Sequence, residues 1–484
     1  MSPRFRPVNR LDHALMQRSA ALPRSRADTV LKVISAAANH SLLWGAVAAV
    51  LAARKGPTRR AALRGIAAIA GASFTANAVG KTLLPRRRPA AELVAEHRRL
   101  VKRPTSSSFP SGHAASAAAF TTAVALESPK AAAVVAPLAA AVAYSRVHTG
   151  VHWGSDVACG ALVGVAAGLL TRRWWPVVDE QAPPTRRRVE VPAFEQGEGL
   201  LFVVNPNSGP GEGDFSEQVR ENWPSATVVL LDQDTDLDAL VGEHGPKALG
   251  VAGGDGTVAA MAALATEHDL PLVVLPAGTL NHFARDLGVD AVQTARAAVR
   301  AGDGAAVDLG AVTVGGSEPR LFLNTASLGG YPDLVRLRDK HADRWGKWPA
   351  GAYALIRVLH EARPLDVTIN GERLRVWMLF VGNNVYLPRG FAPLTRARLD
   401  TGLLDVRYLR ADLPLSRTRF ILAAVLGALH RSHVYRQADL PRLRVTVHSA
   451  PVAIATDGEV GEQATRFEFT ARRAALVTYL PQLS

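Results

Sequence analysis

Residues 145–156 read SRVHTGVHWGSD, setting a guanidinium (Arg146), an imidazole (His152) and a carboxylate (Asp156) between two apolar stretches. Ionisable groups in such positions are costly in a membrane and are tolerated where they face the interior of a helix bundle. Asp156 follows His152 by four residues, so one helical turn can bring the carboxylate to the ring it would orient. Two further polar blocks sit at the ends of neighbouring apolar runs: KTLLPRRRP, with Lys81 and Arg88, and the run Pro110, Ser111, Gly112, His113. Lys81, Arg88 and Arg146 supply positive donors for phosphate oxygens. Ser111 and Gly112, opening a helix, offer backbone N–H groups and the positive end of its dipole to the same oxygens. A ring nitrogen of His152 can then attack phosphorus while His113 protonates the leaving oxygen.

The first 175 residues around these blocks are rich in Ala, Val, Leu and Gly. Residues 33–53 are uncharged over 21 positions, long enough to span a bilayer, and four shorter runs follow at 65–80, 114–126, 131–145 and 157–171. The expectation for residues 1–175 is an all-α membrane bundle of about five spans, with a soluble Ala-rich bundle as the alternative. The single cysteine, Cys159, excludes an internal disulfide and reads as small helix filler. A net charge of +14 calls for an anionic partner. The arginines gather in knots between apolar runs instead of interleaving with aromatics, which suits lipid or phosphate and not nucleic acid.

In order and spacing the three blocks resemble the type 2 phosphatidic acid phosphatase superfamily, whose pattern is K-x6-R-P, P-S-G-H and S-R-x5-H-x3-D. All three are met here without a departure. The resemblance implies a phosphohistidine on His152, His113 as the acid, no metal cofactor, and lipid phosphates or isoprenoid pyrophosphates as substrates. Vanadate-dependent haloperoxidases share this pocket.

Residues 172–198 hold prolines, mixed charge and no periodic apolar face. They read as a membrane-interface pair, Trp174 and Trp175, and a linker at 176–198. From Leu200 the pattern becomes α/β, with strands expected at 200–204, 228–231, 248–251 and 272–275, and later segments such as 312–314, 367–369, 377–381 and 443–447 suggest a β-rich second subdomain. Three glycine-rich turns each follow a strand, where open parallel sheets place ligands. The first holds Asn205, Ser208 and Gly209; the second is Gly253, Gly254, Asp255, Gly256, Thr257; the third is PAGTLNHFARDLG at 276–288, with Gly278, Thr279 and Asn281. No G-x4-G-K-[ST] is present, and no G-x-G-x-x-G follows the first strand, so neither a P-loop nor a dinucleotide fingerprint is in play. Near the C-terminus Asp457, Gly458 and Glu459 put two carboxylates around a turn. Alone this is a solvated hairpin; beside a triphosphate the pair can hold Mg2+ or take a proton from an attacking hydroxyl.

The turns together resemble the diacylglycerol kinase catalytic family, bacterial lipid kinases and sphingosine kinases included, over residues 199–480. The resemblance implies an ATP-binding part at 199–310 and a β-rich lipid-binding part at 311–484. It implies ATP as co-substrate with Mg2+, and places Asn205, Ser208, Gly253, Gly254, Gly256, Thr257, Gly278, Thr279, Asn281 and Glu459 at the nucleotide. Asp457 is the first candidate for the base and Asp255 the second. Leu280 and His282 stand where Gly and Asp are commoner. Where the family carries Asp-Asp-Gly this chain has Asp400, Thr401, Gly402, which leaves Asp400 as a candidate metal ligand.

The expected whole is a multi-pass membrane enzyme acting on a lipid phosphate and a lipid alcohol. The alternatives are a membrane-anchored lipid sensor with a non-catalytic nucleotide fold and an NAD-kinase-like enzyme tethered to a membrane phosphatase. Counting spans puts the three phosphatase blocks on one face and the kinase on the other. Cytosolic ATP then makes the phosphatase face extracytoplasmic, in line with the basic segments ARKGPTRRAALR and TRRWW. Homodimerisation and the identity of each lipid are left open.

Overall fold

Small residues decide how the helices of the first part of the chain meet. The computed structural model describes residues 6–480 apart from 55, 101–102, 176, 178–184, 209–214, 233, 279–280, most of 331–362, 388 and 390–394. It divides into two compact units, Met1–Val178 and Asp179–Ser484. The first unit is helical: α1 (Arg6–Ala21), α2 (Arg26–Ala37), α3 (Leu42–Ala52), α4 (Pro57–Ser73), the short α5 (Lys81–Leu83), α6 (Gly112–Glu127), α7 (Pro129–His148) and α8 (Gly154–Leu170). α6 is central and packs against α4, α7 and α8.

Gly160, Gly164 and Gly168 form a stripe on α8 that lies directly on α6. A Cβ on Gly160 would stand 2.3 Å from the Ser111 carbonyl oxygen, and one on Gly164 2.2 Å from that of Ala115. This close approach, of the kind small residues permit in membrane bundles, sets the start of α6 beside the start of α8. There the Ser111 N–H donates to the Asp156 carbonyl at 2.9 Å. On its other side α6 offers Ala115, Ala119 and Ala123 to Ala68, Ala72 and Ala76 of the α4 segment. At the far end of α6 the buried Glu127 accepts from Arg60 at 3.0 Å and from the fully buried Arg64, which also donates to Thr171 Oγ1 and the Trp175 carbonyl. Breaking such a buried ion pair from one side costs about 3–5 kcal/mol, because the other charge is stranded.

Three helices among the described residues are long and apolar enough to cross a membrane: Pro57–Leu83, Pro129–His148 and Gly154–Arg173. The run at 33–53 is not one straight helix but part of a bent pair. Arg26–Ala37 and Asn39–Ala52 meet at a 67° bend, with His40 and Ser41 both in the left-handed region (φ 52° and 60°). α6 has 16 residues and falls short of the length test. Leu42, Val50, Leu63, Ile66, Phe74, Val134 and Leu162 point outward, the surface a bilayer would cover.

The second unit is built on one extended sheet. Its strands are β1 (Arg188–Glu190), β2 (Leu200–Val204), β3 (Thr227–Leu230), β4 (Ala248–Gly253), β5 (Leu272–Pro276), β6 (Asp303–Val314), β7 (Arg320–Phe322), β8 (Thr325–Gly329), β9 (Leu365–Ile369) and β10 (Glu372–Asn383). After the small pair β11 (Tyr386–Leu387) and β12 (Thr395–Arg396) come β13 (Leu404–Arg410), β14 (Tyr435–Leu440), β15 (Arg442–Val447), β16 (Val452–Thr456), β17 (Glu459–Ala464) and β18 (Arg466–Tyr479). The strands β3, β2, β4 and β5 are parallel and, as near-continuous Val/Leu runs, are buried on both faces apart from β3. The helices α9 (Phe215–Asn222), α10 (Leu237–His244), α11 (Asp255–Glu267), α12 (His282–Leu287) and α13 (Val292–Ala301) follow or connect them.

Two boundaries differ from the expected ones. The segment read as linker contributes β1, which pairs with β6, and Phe194, which is buried in the α/β core. The β-rich part is not separate either. β18 pairs antiparallel with β15 and β6, passes a bulge between Arg472 and Leu476, and then pairs parallel with β5 through Thr478 and Leu272. Leu476, Tyr479 and Leu480 are thereby buried with the α/β core.

Candidate active sites

In the first unit six of the predicted residues line one cavity of about 310 Å3: Lys81, Arg88, Gly112, His113, Arg146 and His152. Each comes from the end of a helix or the loop beside it, so the helix packing described above brings distant sequence together. His152 is held by a hydrogen bond from Nδ1 to the Ser108 carbonyl at 2.6 Å. With the proton on Nδ1, Nε2 keeps its lone pair, 3.4 Å from the Arg88 guanidinium. Burial, reinforced by Arg146 and Arg88 and opposed by Asp156, holds His152 down to about 4. It is therefore neutral near pH 7. Arg88 is fixed by the carbonyls of Ser106 (2.9 Å), Val151 (2.6 Å) and Ser107 (3.2 Å). Arg146 donates to Ser35 Oγ, while its buried Nε has no partner among the described residues. A buried, unsatisfied guanidinium N–H beside two other cations is a site in want of an anion.

Two predicted residues stand behind the cavity instead of in it. The Ser111 N–H is spent on the Asp156 carbonyl and its hydroxyl caps α6 at Ala114 (3.4 Å), so Gly112 alone of the pair lines the cavity. The Asp156 carboxylate lies 3.8 Å from His152 Nδ1, beyond hydrogen-bond range. It binds Arg86 at 2.7 Å and the Trp153 N–H at 2.9 Å. The Ser108 carbonyl, not Asp156, orients the ring. Arg86 also holds Asp12 (2.8 Å), tying α1 to this support.

Sequence reasoning missed Asn39. Its Oδ1 lies 3.0 Å from His113 Nε2, and it lines the cavity with His40 and Ser41 of the α2–α3 bend. The signal was three consecutive polar residues in mid-run, the kind of interruption that marks an interior-facing position.

In the second unit the three glycine turns converge at the C-terminal ends of β2, β4 and β5. Asn205 Nδ2 donates to Thr257 Oγ1 (3.0 Å), and the Gly254 N–H to Ser208 Oγ (3.0 Å). A Cβ on Gly278 would stand 2.7 Å from the Gly254 Cα, so the second and third turns touch. Asn281 closes the third turn on itself, accepting from the Gly278 N–H at 2.7 Å and donating to its carbonyl at 2.6 Å. α11 opens at Asp255 with no side chain capping it, a helix end suited to phosphate. Asp255 accepts the His282 N–H at 2.9 Å. Thr279, Leu280 and Gly209 lie outside the described residues.

The Asp-Gly-Glu turn reaches the same place. A Cβ on Gly256 would meet Glu459 Oε1 at 2.9 Å. Asp457 is not a solvated hairpin residue. Its Oδ1 accepts the N–H groups of Asn324 (2.7 Å) and Thr325 (3.0 Å), and its Oδ2 that of Leu323 (2.7 Å). Burial pushes this carboxyl above the usual range, against the three amides and the Arg396 guanidinium that hold it down. Arg396, also missed from sequence, is buried and binds Asp286 (2.6 Å), the Leu323 carbonyl (2.6 Å) and Asn324 Oδ1 (2.7 Å). It joins the third glycine turn to the cradle of Asp457. Asp400, the candidate metal ligand, has its oxygens engaged by other partners. Its oxygens accept from Arg398 at 2.8 Å and the Arg186 N–H at 2.8 Å, and no group of three or more ligating side chains occurs among the described residues.

Comparison with known proteins follows the same division. Residues 61–179 match the family model of the PAP2 superfamily, and residues 199–312 that of the diacylglycerol kinase catalytic domain. A Pseudomonas fluorescens protein described as "Probable lipid kinase YegS-like" is 32% identical over 277 residues, 55% of this chain and 86% of its own length. The chain belongs to the YegS-like lipid kinase family. A "Diacylglycerol kinase" of Mycobacterium tuberculosis is 30% identical to this chain over 188 residues, 37% of this chain and 58% of that one. Among solved structures, a diacylglycerol kinase from Bacillus anthracis aligns over 59% of this chain and 97% of its own at 18% identity and a TM-score of 0.41. A PAP2-type phosphatidylglycerolphosphate phosphatase from Bacillus subtilis aligns over 35% and 86% at 20% identity and a TM-score of 0.29. The YegS-like part thus follows a PAP2-like part on one chain.

Proposed function

We propose that the first unit hydrolyses a lipid phosphate or pyrophosphate through a phosphohistidine on His152. The observation that carries this is the His152 ring, with Nδ1–H fixed on a carbonyl and an unprotonated Nε2 facing the Arg88 guanidinium at 3.4 Å. Lys81, Arg88, Arg146 and the Gly112 amide hold the phosphoryl oxygens. Nε2 forms the N–P bond as the P–O bond to the lipid breaks, and His113 gives its proton to the leaving oxygen. Water then attacks the phosphohistidine, releasing inorganic phosphate and restoring the ring. His152→Ala should abolish phosphate release from a lipid phosphate; release at the wild-type rate would refute the mechanism.

We infer that the second unit transfers the γ-phosphoryl of ATP to a lipid alcohol of the diacylglycerol type. The glycine turns and the start of α11 are suited to the phosphates. Mg2+, when bound with ATP, would offset phosphate charge, with Glu459 and Asp255 as the carboxylates close enough to the turns to hold it. Asp457 acts as base. Three of its roughly four lone-pair sites accept amides, leaving one on Oδ2 for the acceptor's proton, and a raised carboxyl fixed in orientation suits that task. Labelled ATP given to the purified chain with a total lipid extract should yield a labelled lipid, and no labelled lipid should form with Asp457→Ala.

The two sites are proposed to face opposite sides of the membrane, the kinase in the cytoplasm. Reporters placed after Gln196 and within residues 90–105 should then signal from opposite sides; signals from one side would exclude this arrangement.

A further inference from the structure

Seven large apolar side chains of the second unit stand exposed among the described residues, and four of them are neighbours: Leu415 (75%), Ile421 (40%), Leu422 (56%) and Leu426 (62%). They belong to one helix, α14 (Ser416–Val425), and the residue on either side of it. The remaining three, Val189, Leu230 and Val460, lie on three separate strands. Single exposed apolar residues need no explanation, but a contiguous set does. Positions 415, 422 and 426 recur at the seven- and four-residue spacing that lines one face of a helix, with Ile421 beside them.

The fold does not need this face. α14 is anchored by its other side, where Phe420 is buried in a cluster with Met378, Leu409, Val434 and Tyr435. There Ser416 Oγ accepts from Trp377 Nε1 at 3.2 Å. The outer face is left apolar without any demand from internal packing.

Its surroundings are of one sign. From residue 413 to 438 the chain has no Asp or Glu, but carries Arg417, Arg419, Arg431 and Arg436 with His430 and His433. The acidic residues that bracket this stretch are already engaged, Asp412 by Arg410 at 2.6 Å and Asp439 by Arg389. Arg417 lies flat over the Trp377 ring at 4.1 Å, while Arg419 and Arg431 are exposed. An exposed apolar helix face in a stretch of chain whose only charged side chains are cations has the composition of an element that lies in a membrane interface. A second copy of the chain would bring the same cations against these, and like charges facing across an interface are repelled.

We propose that α14 docks the second unit on an anionic lipid surface. Leu415, Ile421, Leu422 and Leu426 enter the boundary between headgroups and acyl chains, and Arg419 and Arg431 meet the lipid phosphates. The proposal does not depend on the kinase reading, since its readout is depth in the bilayer and not catalysis. If that reading also holds, docking keeps the second unit at the membrane that holds its lipid substrate.

Cys159 is the only cysteine, so a Cys159→Ser background accepts a single reporter. Leu422→Cys, Leu426→Cys and, as a control elsewhere on the unit, Leu230→Cys are each labelled with an environment-sensitive fluorophore. The full chain is placed in phosphatidylcholine nanodiscs with and without phosphatidylglycerol, and quenching by nitroxide-bearing lipid is read. The expected result is quenching at 422 and 426 but not at 230, stronger with phosphatidylglycerol. Arg419→Ala should reduce the docked-to-undocked ratio about five-fold, the equivalent of the ~1 kcal/mol one basic residue contributes at an anionic surface. Absence of quenching at 422 and 426 in both lipids overturns the proposal, whether the labels are in water or covered by protein. Equal quenching at 230 overturns it too, because the unit would then merely lie near lipid.

Discussion

His152 commits one ring nitrogen to the Ser108 carbonyl and turns the other toward Arg88, and its low pKa of about 4 has a kinetic consequence. The proposed nucleophile must be unprotonated, so on the acid side activity is lost as pH falls through that depressed value. The acid limb of the phosphatase kcat/KM profile should lie near 4, well below the ordinary histidine range, and a limb near 6.5 would contradict it. Asp457 works in the opposite direction. Its carboxyl is raised by burial, and as the proposed base it must be ionised, so the acid limb of the kinase should lie above the ordinary carboxylate value. Asn39→Ala should lower phosphate release about five-fold, the scale of the ~1 kcal/mol of one lost hydrogen bond, and leave lipid phosphorylation unchanged. At this scale the sequence was legible wherever chemistry came as a block. Lys81, Arg88, Gly112, His113, Arg146 and His152 all reach one cavity. The partners that hold those residues were not legible. Ser108 acts through its backbone, Ser35 and Asn39 lie far from the blocks in sequence, and Arg396 sits on the two-residue strand β12, outside any motif.

Among the elements, the α6–α8 contact carries the phosphatase site. Gly164→Ala would place a methyl group 2.2 Å from the Ala115 carbonyl oxygen, forcing the helices apart at a cost of about 1–3 kcal/mol. Phosphate release and thermal stability of the first unit should both fall, whereas Leu162→Ala, on the outward face at 70% exposure, should change neither. The parallel strands were readable because buried strands are continuous apolar runs. The bend at Asn39–Ser41 was not, because its left-handed residues are His40 and Ser41 and no glycine announces them. Nor was the end of β18, whose pairing with β5 joins residues 206 positions apart (Thr478 and Leu272) and leaves no local trace.

For the whole molecule, the division at Val178/Asp179 sets two chemistries of opposite direction on one chain. The central claim is that they are separable, each with its own site. The direct test is a crosswise assay on one proteoliposome preparation, following labelled phosphate from ATP into lipid and inorganic phosphate from a lipid phosphate in wild type, His152→Ala and Asp457→Ala. The first substitution should abolish only phosphate release and the second only lipid labelling. Loss of both activities from either single substitution, or absence of either reaction in the wild type, would contradict it.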